Sequence, residues 1–163
     1  FAIIVLTFLF GSQNYNGSGN ALLQKALTEG ISNPWDFALK LLLTAITLAC
    51  GFKGGGVFPA FIVGATFGAS FGQYFGLTPQ FAAAIGLVAV FCGSVNCPIA
   101  SIFLAAEIFG SEGIILFAIA SAVSFVFSGY FTLFPGQNFI YSKLRIEYKT
   151  SALRRKESED TDV

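Results

Sequence analysis

The chain has 163 residues, of which 55% are hydrophobic and 11% charged, with a formal net charge of zero and a mean hydropathy of +0.73. Between Lys53 and Lys143 the only charged side chains are Glu107 and Glu112. That distribution excludes a water-soluble domain and a nucleic-acid partner, and fits an all-α polytopic membrane protein in a lipid bilayer. Histidine is absent, which argues against imidazole proton relays and His-ligated metals. Cys50, Cys92 and Cys97 lie in apolar runs without metal-ligand spacing and read as small buried hydrophobes, so no cofactor and no metal are expected.

The first ten residues, Phe1 to Phe10, form an apolar run too short to span a bilayer and lacking the basic flank of a signal peptide. They read as the end of a helix that begins outside this sequence. Residues 11–20 are a polar, glycine-rich loop. Asn20–Glu29 fits a short helix ended by Gly30. Ser32 to Asp36 form an interfacial turn, with Trp35 suited to the headgroup level. Phe37–Cys50 is the next helix, and Lys40, near its start, is expected to snorkel.

Gly51, Gly54, Gly55 and Gly56 then form a cluster that a helix does not tolerate, since each Gly costs about 1 kcal/mol relative to Ala. The loop ends at Val57-Phe58-Pro59, where a helix starts with proline in its first turn. Bare backbone before a helix N-terminus suits an anion, because N–H groups point outward and the dipole adds roughly half a positive charge. The amides of Gly56, Val57 and Phe58 are the candidates.

The helix from Val57 to about Phe75 places Ala60, Gly64, Gly68, Gly72 and Gly76 on one face and Phe67, Phe71 and Phe75 on another. The small face predicts close helix packing, and the phenylalanines face lipid or the bundle. Thr78 is the expected N-cap of a short helix over Gln80–Phe91, with a break at Cys92–Asn96. Further helices are expected at Pro98–Phe109, Ile114–Phe127 and Gln137–Tyr148. Helices of about a dozen residues are too short to span a bilayer alone, so their ends must meet inside a bundle or line a watery cavity, as in transporters with broken helices. The tail is basic at its start, with Lys143, Arg145, Lys149, Arg154, Arg155 and Lys156, which predicts a cytoplasmic C-terminus. The expected division is a membrane domain over 1–148 and a polar tail over 149–163.

GFKGGGVFP, NCPIASIFLAAEIFG and SGYFTLFPGQNFIYSKL together resemble the C-terminal half of the CLC family of chloride channels and proton-coupled anion antiporters. The resemblance runs in one order over residues 11–148. It implies a CLC-type half with broken, tilted helices, halide transport, possible proton coupling, and a homodimer formed through Pro98–Phe109 and Ile114–Phe127. The family's Gly-x-Phe-x-Pro motif falls on Gly55, Gly56, Val57, Phe58 and Pro59, with Val57 where the family usually has Phe. The resemblance implies anion binding by the amides of Gly56 and Val57. It also implies that the anion-coordinating tyrosine of the family corresponds to Phe134, which lacks the hydroxyl. GFKGG followed by Val and Pro is similar to the fluoride-exporting branch, from which the chain departs at Gly56, usually Glu, and at Phe58, usually Thr. The serine motif and gating glutamate belong to the N-terminal half, which the resemblance implies is missing here. Gly17-Ser18-Gly19 lacks the proline of that motif and reads as a loop.

Other readings fit less of the chain. Asn96-Cys97-Pro98 is a single Asn-x-Pro, whereas water channels use paired boxes. GFKGGG lacks the Lys-Ser/Thr ending of a phosphate loop. Enzyme chemistry lacks a partner for Glu107 or Glu112, and Glu107 is expected to cap or pair inside the bundle. A structural membrane subunit without transport is the alternative from another class.

Overall fold

Small residues at the right places let these helices touch, and turn residues separate them. The computed structural model describes residues 18–51, 54–130, 132–134 and 143. The run over residues 1–10, the helix expected over 137–148 and the tail after it lie outside those bounds, apart from Lys143. Among the described residues there are six α-helices and no strand: α1 (Asn20–Gln24), α2 (Asp36–Ala49), α3 (Val57–Gly72), α4 (Pro79–Val95), α5 (Pro98–Phe109) and α6 (Ile114–Phe127).

Local chemistry explains most of the boundaries. α1 begins after Gly19, continues as a π-helical turn over Lys25–Glu29, and stops at Gly30 in the left-handed conformation, φ 67°. Asn33 and Asp36 exchange bonds at the start of α2: the Asn33 N–H donates to Asp36 Oδ2 at 2.9 Å and the Asp36 N–H to the Asn33 carbonyl at 3.0 Å. α3 ends in a 3-10 turn over Gln73–Phe75. Thr78 does occupy the N-cap position of α4, although its side chain makes no capping bond.

α4 departs from expectation. It has 17 residues and runs through Cys92, Gly93 and Ser94, where a break was expected. The Ser94 hydroxyl bonds back to the Val90 carbonyl at 2.7 Å, as serine can inside a helix. Gly93 serves packing: a Cβ there would lie 2.9 Å from Ser124 Oγ on α6. Ser124 in turn donates to the Ala89 carbonyl at 2.6 Å. The chain turns only at Asn96, φ 59°.

α3 packs along α4 with almost nothing between the backbones. A Cβ on Gly64 would strike the Gly86 carbonyl, and one on Gly68 the Ala82 carbonyl. Gly72 meets the Ala82 side chain. Gly64, Gly68 and Gly72 of the expected small-residue face therefore make the α3–α4 contact, whereas Ala60 lines a cavity and Gly76 lies in the turn beyond with φ 71°. Around this contact the buried cluster includes Ala65, Ala69, Ala83, Leu87, Val88 and Phe117. Phe67 and Phe71 pack on Phe37 of α2, with ring centroids 5.2 and 6.1 Å away.

Three side chains are placed differently from expectation. Lys40 is buried rather than snorkelling; Gly19, having no side chain, leaves room for its ammonium, 3.0 Å from where a Cβ would stand. Cys50 is exposed, because it follows the end of α2. Glu107 is exposed on α5, where a place inside the bundle was expected, and meets no partner among the described residues.

Among the described residues no helix is long and apolar enough to cross a membrane. The longest, α4, extends about 25 Å at 1.5 Å per residue, less than a hydrocarbon core of about 30 Å. α5 and α6 carry exposed apolar side chains, among them Ile99, Phe103, Ile115 and Phe127.

Candidate functional site

The glycine loop enters α3 as a bare strip of backbone. Among the described residues, a Cβ added to Gly54 or Gly55 would meet nothing within 4 Å, and Gly55 has no positive φ. Neither crowding by the described residues nor backbone conformation therefore demands glycine at Gly55. Gly56 accepts the Ala60 N–H at 3.2 Å, which makes its carbonyl the first acceptor of the helix. Val57 and Phe58 follow as the first helical residues and Pro59 has no N–H to offer. Among the described residues, no acceptor takes the N–H of Gly56, Val57 or Phe58. These donors lie at the positive end of the 16-residue α3.

The expected site residues are only partly brought together. Gly55, Gly56, Val57 and Phe58 are consecutive and form one surface. Phe134 comes from the segment after α6, is 49% exposed, and turns its N–H to Thr132 Oγ1 at 3.3 Å. It is the preceding residue, Leu133, that touches the loop: its Cδ2 lies 3.0 Å from where a Gly56 Cβ would stand. The Leu133 N–H donates to the Ser94 carbonyl at 3.0 Å, which ties this segment to the end of α4.

Beside Gly56 lies a cavity of about 220 Å³ between α2, α3 and α4, lined by Thr44, Pro59, Val63, Val90, Ser94 and Leu133 among others. Its hydroxyls are already committed. Thr44 donates to the Lys40 carbonyl at 2.7 Å and Ser94 to the Val90 carbonyl at 2.7 Å. The cavity wall thus offers acceptor lone pairs and apolar surface, while the unclaimed donors belong to the loop backbone. Such a loop can hold an anion by main-chain N–H groups. The glycine cluster signalled the loop in the sequence. Leu133 and Ser94 carry no comparable signal, because each looks ordinary in its own segment.

A family model described as voltage gated chloride channel matches residues 1–129. A chloride/fluoride channel protein from Pseudomonas syringae pv. tomato (strain ATCC BAA-871 / DC3000) is 42% identical over 110 residues, or 68% of this chain and 24% of that relative. The crystal structure of a CLC-type fluoride/proton antiporter is similar with a TM-score of 0.78 and 32% identity, covering 82% of this chain and 34% of that one. The chain therefore spans about a quarter of the curated relative and a third of the solved antiporter.

Proposed function

Since the chain belongs to the voltage-gated chloride channel family of integral membrane proteins, whose members as a class are not enzymes, we propose that it contributes one wall of a halide pathway, with fluoride as the preferred cargo. The unclaimed N–H groups of Gly56, Val57 and Phe58 at the start of α3, on a loop open to approach at Gly54 and Gly55, carry this reading. Fluoride is named for both the relative and the solved antiporter, which supports the choice of cargo. Proton coupling extends the likeness to the antiporter.

The remaining donors come from elsewhere in the transporter. An isolated ion in a low-dielectric medium costs tens of kcal/mol, whereas a hydrogen bond to a charged group contributes roughly 1.5–3 kcal/mol. The loop amides alone fall far short of replacing a hydration shell. The full assembly in this reading includes an N-terminal half and a second copy docked on the apolar faces of α5 and α6, with the basic tail on the cytoplasmic side. Phe134, next to the residue that touches Gly56, is the side-chain candidate in the set.

Val57→Pro tests the backbone claim. Val57 is the first residue of α3, where proline fits, so the variant deletes one N–H and keeps the helix. In the full-length transporter, fluoride affinity measured by calorimetry is expected to fall roughly 10- to 150-fold, the loss of one charge-assisted bond. Val57→Ala, which keeps the N–H, is expected to retain affinity. Equal affinity in the two variants would remove this amide from the site. Phe134→Tyr supplies a hydroxyl and is expected to tighten binding by about 0.5–3 kcal/mol; an unchanged value excludes Phe134 and leaves the amides untouched.

A further inference from the structure

The anion reading makes no use of an ammonium at the junction of α4 and α6. Asn96 closes α4 in the left-handed conformation. It is the only non-glycine among the described residues with positive φ, a backbone that asparagine tolerates better than most side chains. Asn96 is also buried. Its side-chain oxygen accepts from Ser128 Oγ at 2.7 Å and from the ammonium of Lys143. The same ammonium donates to the Phe125 carbonyl at 2.7 Å and to Ser128 Oγ at 3.0 Å. It lies 4.1 Å from the centroid of the Phe125 ring. The Lys143 backbone N–H is held as well, by the Tyr130 hydroxyl at 2.8 Å.

A lysine has three N–H donors and no acceptor. Here an amide oxygen, a carbonyl and a hydroxyl receive them, and an aromatic face covers the charge. A basic residue near a cytoplasmic boundary, as Lys143 reads in the sequence, has no need of such a receptor. The location of the receptor gives it a reach beyond itself. Ser128 and Phe125 belong to the end of α6, and Asn96 to the end of α4. Leu133, downstream of both Phe125 and Ser128, hangs from the Ser94 carbonyl at 3.0 Å and presses on Gly56.

We propose that Lys143, Asn96 and Ser128 form an ammonium clamp that positions Leu133 against Gly56, so that a lysine far along the chain sets the geometry of the glycine loop. Lys143 is a positioning residue in this scheme, and its effect on anion affinity rests on the reading of Gly56–Phe58 given above. Releasing the clamp loosens the last turn of α6 from the end of α4, while the bond from Ser124 to the Ala89 carbonyl holds the helices together one turn earlier. Leu133 then leaves Gly56 more often, and the loop loses the wall that orders it.

The test uses the full-length transporter with Cys50→Ala and Cys97→Ala, which remove the accessible thiols of this chain, with any accessible cysteine elsewhere replaced as well, and with Leu133→Cys as a reporter. The rate at which a small thiol reagent labels position 133 is expected to rise about tenfold when Lys143→Met removes the charge-assisted bonds. In Lys143→Ala, added propylammonium should enter the vacated receptor and return the rate toward its starting value, while propanol should not. Ser128→Ala removes one oxygen without touching the chain turn, and provides a milder release if Lys143→Met fails to assemble. A labelling rate indifferent to Ser128→Ala and, in Lys143→Ala, to propylammonium overturns the clamp. Fluoride affinity is measured in parallel on the Lys143 and Ser128 variants with Leu133 intact. Weaker affinity, restored by propylammonium, supports the coupling to Gly56. Faster labelling with unaltered fluoride affinity overturns the clamp's control of the glycine loop, whereas the anion reading itself stands or falls with Val57→Pro.

Discussion

The hydroxyl of Ser121 is buried on α6 and finds no hydrogen-bond partner among the described residues, although the Ser121 carbonyl accepts the Cys92 thiol at 3.2 Å. A buried, unsatisfied hydroxyl costs about 1–3 kcal/mol. Ser121→Ala removes that cost with little change in volume, so the melting temperature of the full-length protein in detergent is expected to rise. A fall would indicate that an enclosed water satisfies the hydroxyl. Single residues were also where the sequence spoke least clearly. The bare loop at Gly54–Gly56 was legible because glycine has few reasons to cluster. Burial of Lys40 was not, because the space for its ammonium is created by Gly19 on another element. The same holds for Leu133, whose partner Gly56 lies far away in sequence.

At the scale of elements, the small-residue spacing of α3 predicted a close helix contact, and the contact is with α4. Gly68→Ala tests how close. Alanine raises intrinsic helix propensity by about 1 kcal/mol, but here its Cβ would strike the Ala82 carbonyl. Overpacking of this kind costs typically 1–3 kcal/mol, so a net loss of thermal stability is expected. Gly55→Ala is the control, since a Cβ there meets nothing within 4 Å among the described residues; it should leave the melting temperature near that of the parent. Equal stability of the two variants would mean that α3 and α4 separate readily. The end of α4 shows the limit of such reading. Gly93 looks like a helix breaker in the sequence, yet it is a packing glycine, and only the position of Ser124 on α6 reveals the difference.

For the whole molecule, the all-α, broken-helix architecture was legible from composition and segment length. Little charge across a long apolar stretch leaves few soluble alternatives, and short helices imply ends that converge. The surroundings of the glycine loop were less legible, because Leu133 and Ser94 come from segments that do not adjoin it in sequence. The energetic gap between a few amides and a hydration shell leads to a prediction at this scale. Liposomes containing this chain alone are expected to hold a fluoride gradient that liposomes containing the full-length transporter dissipate. Sustained, fluoride-selective leakage through the isolated chain would show that the remaining donors are not required.

The touching backbones of α3 and α4 also bear on mechanics. Helices separated by long side chains can slide, because rotamers absorb the shear. Here Gly64 and Gly68 seat directly on carbonyls of α4, so the pair behaves as one stiff beam with a fixed register. The glycine loop is mounted on the end of that beam and cannot be displaced by gliding one helix along the other. Within the described residues, a movement that opens or closes the loop would therefore come from the other side, by shifting α2 or the segment bearing Leu133 against a stationary rail.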